Sequence, residues 1–183
     1  MTRIINLYSL KGGQGTSTTA VLLARQFADQ GQTVLLADRK NGDLPALLGV
    51  GGDGPALRSV SPMVNLYVGQ GYEMPSQGYD VVIGDMGEFI AVAENYLVIQ
   101  PDYVSLKRAT DQHEMVKASN GVIIVRPADR VLTDRDVVTV LGIPHIATLN
   151  MSADVARTSD AGILLSSRKL PTPTIDIPSS ATV

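Results

Sequence analysis

The sequence predicts a doubly wound α/β fold: a mostly parallel sheet of about seven strands with helices on both faces. Three observations carry this. Short apolar stretches rich in β-branched residues alternate with helical patterns along the chain. Two of those stretches, VVIG and GVIIV, are apolar at every position, as strands covered on both faces must be. The 183 residues are 44% hydrophobic and 18% charged, which suits one α/β domain with a full core.

The expected strands run from Arg3 to Ser9, Thr33 to Asp38, Asn65 to Gly69, Asp80 to Asp85, Tyr96 to Gln100, Gly121 to Arg126 and Pro144 to Leu149. Between them, helical spacing picks out Thr16 to Gln30, Leu44 to Leu48, Ser105 to Ala118, Thr133 to Leu141 and Ala153 to Ser167, the fourth opening on a Thr133 cap. Gly49 to Pro62 (GVGGDGPALRSVSP) is rich in glycine, proline and serine and reads as a surface loop. One domain over 1–170 and an extended tail over 171–183, which carries three prolines, are expected.

Composition removes several classes of function. With no cysteine there is no disulfide, no thiolate zinc site and no cysteine-ligated iron–sulfur cluster. No window reaches the roughly 18 unbroken apolar residues of a membrane span, and MTRIINLYSLKGG lacks the pattern of a signal peptide, so a cytoplasmic protein is expected. His113 and His145 have no partner at ligand spacing and are read as structural or exposed. A formal net charge of -3 speaks against a generally basic surface, though not against a local basic patch.

The chemistry begins where the strand IINLYS runs into Leu10-Lys11-Gly12-Gly13-Gln14-Gly15-Thr16-Ser17-Thr18-Thr19 and then, without a gap, into the helical pattern AVLLARQFA. Phosphate is held by backbone N–H groups that converge at a helix N-terminus, and glycines permit both the dihedrals and the close approach. A hydroxyl in the first helical turn can ligate Mg²⁺, and Ser17 stands there.

Lys11-Gly12-Gly13-x-x-x-Ser17 resembles the deviant Walker A loop of the ParA/MinD family, Lys-Gly-Gly-x-Gly-Lys-Thr/Ser, and the likeness runs to about residue 165. It implies ATP and Mg²⁺ as ligands, held by residues Lys11 to Thr18, and a nucleotide-sandwich dimer in which Lys11 reaches the partner's phosphates. One position departs: the later lysine of the pattern is Thr16 here. TVLLADRKNGDLPALLG looks like the family's second motif, whose strand ends in Asp-x-Asp; the triplet is Asp38-Arg39-Lys40, so the water-positioning carboxylate is replaced by lysine. Slow hydrolysis follows, or a substitute such as Asp43. Lys40 could supply the charge that Thr16 lacks, or Arg39 and Lys40 could be a solvated pair. YDVVIGDMGEF resembles the Walker B strand, with Asp85 holding Mg²⁺ through a water, and Arg126 stands where many relatives have an asparagine near the adenine.

The resemblance implies ATP-dependent placement of cargo on DNA or on a membrane. The prolines of Leu170-Pro-Thr-Pro-Thr-Ile-Asp-Ile-Pro178 rule out a C-terminal amphipathic membrane helix there. Lys107, Arg108, Arg126, Arg130, Arg135, Arg157, Arg168 and Lys169 make the second half the source of a DNA-binding face, with Arg157, Arg168, Lys169, Arg130 and Arg135 as first candidates. The expectation is a small ParA-like protein for plasmid, prophage or chromosome partition. It would be a homodimer on non-specific DNA, nucleoid-associated, with weak ATPase activity and a ParB-like adaptor. The alternatives are a nucleotide-gated pseudoenzyme module and a ligase resembling dethiobiotin synthetase, the latter disfavoured by Lys11-Gly12-Gly13.

Overall fold

The computed structural model describes residues 2–39, 42–51, 56–69, 75–128, 130–167 and 174–178. Its elements are β1 (Arg3–Tyr8), α1 (Thr16–Asp29), β2 (Val34–Arg39), α2 (Leu44–Leu47), β3 (Ala56–Ser61), β4 (Val64–Gly69), β5 (Val81–Asp85), β6 (Glu94–Ile99), α3 (Tyr103–Asp111), α4 (His113–Lys117), β7 (Gly121–Arg126), α5 (Asp134–Leu141), β8 (His145–Asn150) and α6 (Ala153–Asp160). Eight strands among these residues form one sheet in the order β3-β4-β2-β5-β1-β6-β7-β8, parallel throughout except for the antiparallel β3–β4 pair.

Strand alternation sorts the core into two faces. Ile5 and Leu7 of β1 and Leu36 of β2 face α1, whose Ala20, Leu23, Ala24 and Phe27 return at helical spacing. Each fully buried aliphatic side chain of this kind contributes roughly 1.5–3 kcal/mol. On the other face Tyr8, Leu97 and Ile124 pack against Leu106 of α3, Val116 of α4 and Val137 and Leu141 of α5. The segment 174–178 carries no regular element, yet Ile175 is buried in the first of these cores, and its N–H and C=O pair with the Gln26 side-chain amide at 2.8 and 3.0 Å.

Three expectations are corrected. The stretch Gly49 to Pro62 is not wholly a loop: Ala56–Ser61 is the additional strand β3, hairpinned to β4 through Pro62 and Met63. The helix expected over Ser105 to Ala118 starts two residues earlier and breaks at Gln112, whose φ of -113° and ψ of 36° leave the helical region. The last helix stops at Asp160 rather than Ser167, followed by turns through Gly162 with φ 66°.

The topology fixes where a ligand can sit. Chain order reverses around β1, which lies between β5 and β6, so the carboxyl ends of β1, β2, β5 and β6 open into one crevice, the usual ligand position in such sheets.

Candidate functional site

The crevice is a cleft of about 590 Å³ lined by the loop from Gly12 to Thr18, by Arg39, Gly42 and Asp43 after β2, by Asp85 and Gly87 after β5, and by Ser159 and Asp160 of α6. The loop takes its shape from two left-handed glycines, Gly13 (φ 74°) and Gly15 (φ 86°). Gly15 is also the N-cap of α1; it offers no side chain to the free N–H groups, and the first turn holds no acidic residue, so the helix N-terminus stays available to an anion. The space in front of Gly12 and Gly13 is open, whereas a Cβ at Gly15 would come within 3.0 Å of Val125.

A second set of contacts holds the loop from behind. Gln14 is almost fully buried, and its Oε1 accepts from the Gln100 N–H (2.7 Å) and the Ser105 hydroxyl (2.9 Å). The Gln100 amide in turn donates to the Gly13 carbonyl (2.7 Å), and Arg108 donates to the Leu10 carbonyl (3.0 Å). The Gln14 side chain therefore faces β6 and α3, and only its backbone is presented to the cleft. Lys11 is partly exposed and lies 3.6 Å from Asp102, the N-cap of α3. Burial pushes the Asp102 carboxyl up, but hydrogen bonds from Ser105 and the charges of Lys11 and Arg130 prevail and hold it below its ordinary value.

Opposite the loop stand two carboxylates. Asp38 and Asp85 are register partners across β2 and β5, and both are buried. One Asp38 oxygen accepts from the Leu44 N–H at 3.0 Å; the other, Oδ1, is buried with no partner among the described residues and lies against Gly42, where a Cβ would overlap it. Burial, then the neighbouring charge of Asp85, pushes the Asp38 carboxyl up to about 7. Burial raises Asp85 too, partly offset by a hydrogen bond from Ser17 and by the charge of Arg39. Two acids raised by desolvation, Asp38 also by the charge of Asp85, beside a hydroxyl in the first turn of a helix, form a donor set suited to a hard divalent cation, which would relieve the desolvation of both. The residues present fit Mg²⁺ with a polyphosphate.

The structure thus brings Gly12 to Thr18, Asp43 and Asp85 to the lining of one cleft; Asp38 lies buried beside Asp85, and Lys11 is turned to Asp102. Thr16 is buried. Lys40 lies outside the described residues, as do Arg168 and Lys169. The remaining basic candidates are dispersed: Arg157 pairs with Asp154 on α6 (2.5 Å), Arg130 donates to Gln100 Oε1 (3.0 Å), and Arg135 is exposed in the first turn of α5. Lys107 is paired with Asp111 and Arg126 with Asp134. A smaller hollow of about 310 Å³ opens at the ends of β7 and β8 between Arg126, Pro127, Arg130, Asn150 and Ser152. Both histidines are exposed, and no group of three potential metal-ligating side chains occurs among the described residues.

Arg39 is the site residue that sequence reasoning passed over. Its position after Asp38 was visible, but its aim into the cleft depends on Gly87, from another strand end.

No family model matches the chain, and no curated protein matches it. Solved structures do. A ParA family ATPase from Chlorobium tepidum superposes with a TM-score of 0.72 at 17% identity over 94% of each chain. MinD from Pyrococcus horikoshii, complexed with Mg-ADP, gives 0.70 at 19% identity over 89% of this chain and 87% of that one. An aspartate-to-alanine variant of Cyanothece McdA in complex with ATP gives 0.66 at 17% identity over 90% and 89%. The fold is that of the ParA and MinD ATPases.

Proposed function

We propose that this chain, which has the ParA/MinD fold, binds ATP with Mg²⁺ and uses it to form a two-fold dimer that holds DNA without sequence preference, in plasmid, prophage or chromosome partition. The observation that carries the reading is the pair of buried carboxylates, both raised by desolvation, facing an uncapped helix N-terminus across a cleft of about 590 Å³. The backbone N–H groups of Gly12 to Thr18 cradle the phosphates, and Ser17 and Asp85 hold Mg²⁺, Asp85 through a water. The base lies toward the hollow at Arg126 and Asn150.

Mg²⁺, held by Ser17 and Asp85, would supply charge neutralisation at the phosphates. Asp38 in its ionised form orients water, Gly42 keeps the space over its carboxylate clear, and the Gln14 and Gln100 amides hold the loop in register. Turnover is slow, because Thr16 puts no charge on the phosphates and the second carboxylate of the motif is absent. Lys11 is held by a single ion pair at 3.6 Å, longer than a hydrogen bond, so it can leave Asp102 for a partner's phosphates. Exposed Tyr103 and Val104 beside it offer apolar area to that second copy. Arg130, Arg135 and Arg157, with Arg168 and Lys169, are the residues assigned to DNA contact, and an adaptor of the ParB kind stimulates release. The uncharged Thr16 also favours a second reading, a nucleotide-gated module without significant turnover.

Light scattering with and without Mg-ATP, followed by plasmid mobility shifts, tests the reading. A dimer with ATP, a monomer for Lys11→Ala, and a shift that salt weakens for all sequences alike are expected. An unchanged mass in ATP refutes the dimer; no shift at low salt leaves the module reading.

A further inference from the structure

A nucleoside triphosphate brings several negative charges into a cleft whose loop has threonine where the family pattern has a lysine. Among the described residues that line this cleft, Arg39 alone carries a positive charge. It ends β2 one residue after buried Asp38, so the pleat turns the two side chains apart, and Arg39 stands exposed at the rim. Its guanidinium lies over Gly87: a Cβ built there would fall 2.7 Å from the nearer terminal nitrogen and 3.1 Å from the central carbon. Gly87 has φ 76°, so the turn after β5 takes a glycine conformation and leaves the guanidinium its seat. Among the described residues no carboxylate lies within ion-pair distance of Arg39 and no acceptor takes its side-chain hydrogens, whereas Lys11, Arg108 and Arg130 around the same loop all have partners.

We propose that Arg39 is the subunit's own phosphate-binding cation, standing in for the lysine that Thr16 replaces and gripping the terminal phosphate of the bound nucleotide; this rests on the nucleotide-site reading above. The planar guanidinium can give two parallel hydrogen bonds to phosphate oxygens, which a lysine on the loop cannot. Arg39 sits on the Asp85 and Gly87 side of the cleft, away from the hollow at Arg126, and so meets the end of the polyphosphate farthest from the base. The site then prefers ATP to ADP through β2 rather than through the loop.

Calorimetry with Mg-ATP and Mg-ADP on the full chain tests this, using Arg39→Gln, Arg39→Lys, Lys40→Ala and the double variant Thr16→Lys with Arg39→Gln, each checked by circular dichroism. Arg39→Gln should weaken ATP about 10- to 100-fold, the effect of losing a charge-assisted contact. ADP should weaken by much less, Arg39→Lys should be intermediate, and the double variant should recover affinity. Wild-type ATP affinity in Arg39→Gln, or a loss confined to Lys40→Ala, overturns the assignment while leaving the nucleotide site intact. Equal losses for ATP and ADP overturn the terminal-phosphate contact. Absence of binding to the wild type itself is a different result, and refutes the site.

Discussion

Replacing Asp38 by asparagine should reverse part of the pH dependence of stability in the nucleotide-free protein. The native carboxyl titrates near 7 against an ordinary value of 3.8, so the folded state holds a proton that the unfolded chain has lost across that interval. The folded pKa is raised, so stability is fullest below about pH 4 and falls as pH climbs to about 7; a displacement of roughly three units corresponds to about 4 kcal/mol. Asp85, raised by burial, adds a slope of the same sign. The opposing groups act elsewhere. Hydrogen bonds from Thr33 and Thr133 hold Asp80 and Asp136 low, and at Asp102 and Asp134, where burial pushes upward, hydrogen bonds and nearby cations prevail. Their contributions are complete above pH 5 and are lost only in stronger acid. Asparagine keeps an oxygen for the Leu44 N–H and carries no charge against Asp85. Urea unfolding followed by circular dichroism from pH 4.5 to 8.5 in EDTA should show the variant as the more stable protein at pH 8, by up to about 4 kcal/mol, with the two curves converging toward pH 4.5. Parallel curves, or a wild type that gains stability between pH 5 and 7.5, would refute the desolvated carboxylate.

Two further variants probe the loop. Gly15→Ala forces a side chain onto φ 86° and within 3.0 Å of Val125, and should cost more than about 1 kcal/mol in thermal unfolding while abolishing ATP binding; unchanged melting would contradict the left-handed cap. Gln14→Leu leaves the Gln100 N–H and Ser105 hydroxyl without their acceptor, and should cost about 1–3 kcal/mol, whereas a loss below measurement would mean that the loop does not depend on this brace.

Much of the architecture could be read from the sequence because buried strands leave a local record. VVIG and GVIIV appear as β5 and β7 with every apolar position covered. Strand β3 left a weaker one: Leu57 is exposed while Val60 turns toward the core, so its alternation was hidden behind the glycines and proline that precede it. The break at Gln112 follows no proline or glycine; tertiary packing of α3 and α4 against α5 decides it. In the site, the glycines, Ser17, Asp38 and Asp85 were legible as motif positions. The inward turn of Gln14 and the cleftward aim of Arg39 were not, since each is set by a residue more than 40 positions away, Gln100 in one case and Gly87 in the other.

The loop's brace also bears on when the site can exist. Gln14 is fastened by Gln100 and Ser105, 86 and 91 residues further along, and β1, from which the loop springs, is paired on both edges only once β5 and β6 are made. The ten residues from Leu10 to Thr19 therefore gain this brace only once the chain has been made as far as Ser105. Its closure has to await long-range pairing, the slow class of contact in folding. On the proposed nucleotide-site reading, competence to hold phosphate would report that the middle of the sheet has been assembled: a chain lacking β6 would carry every letter of the glycine motif without the contacts that brace it.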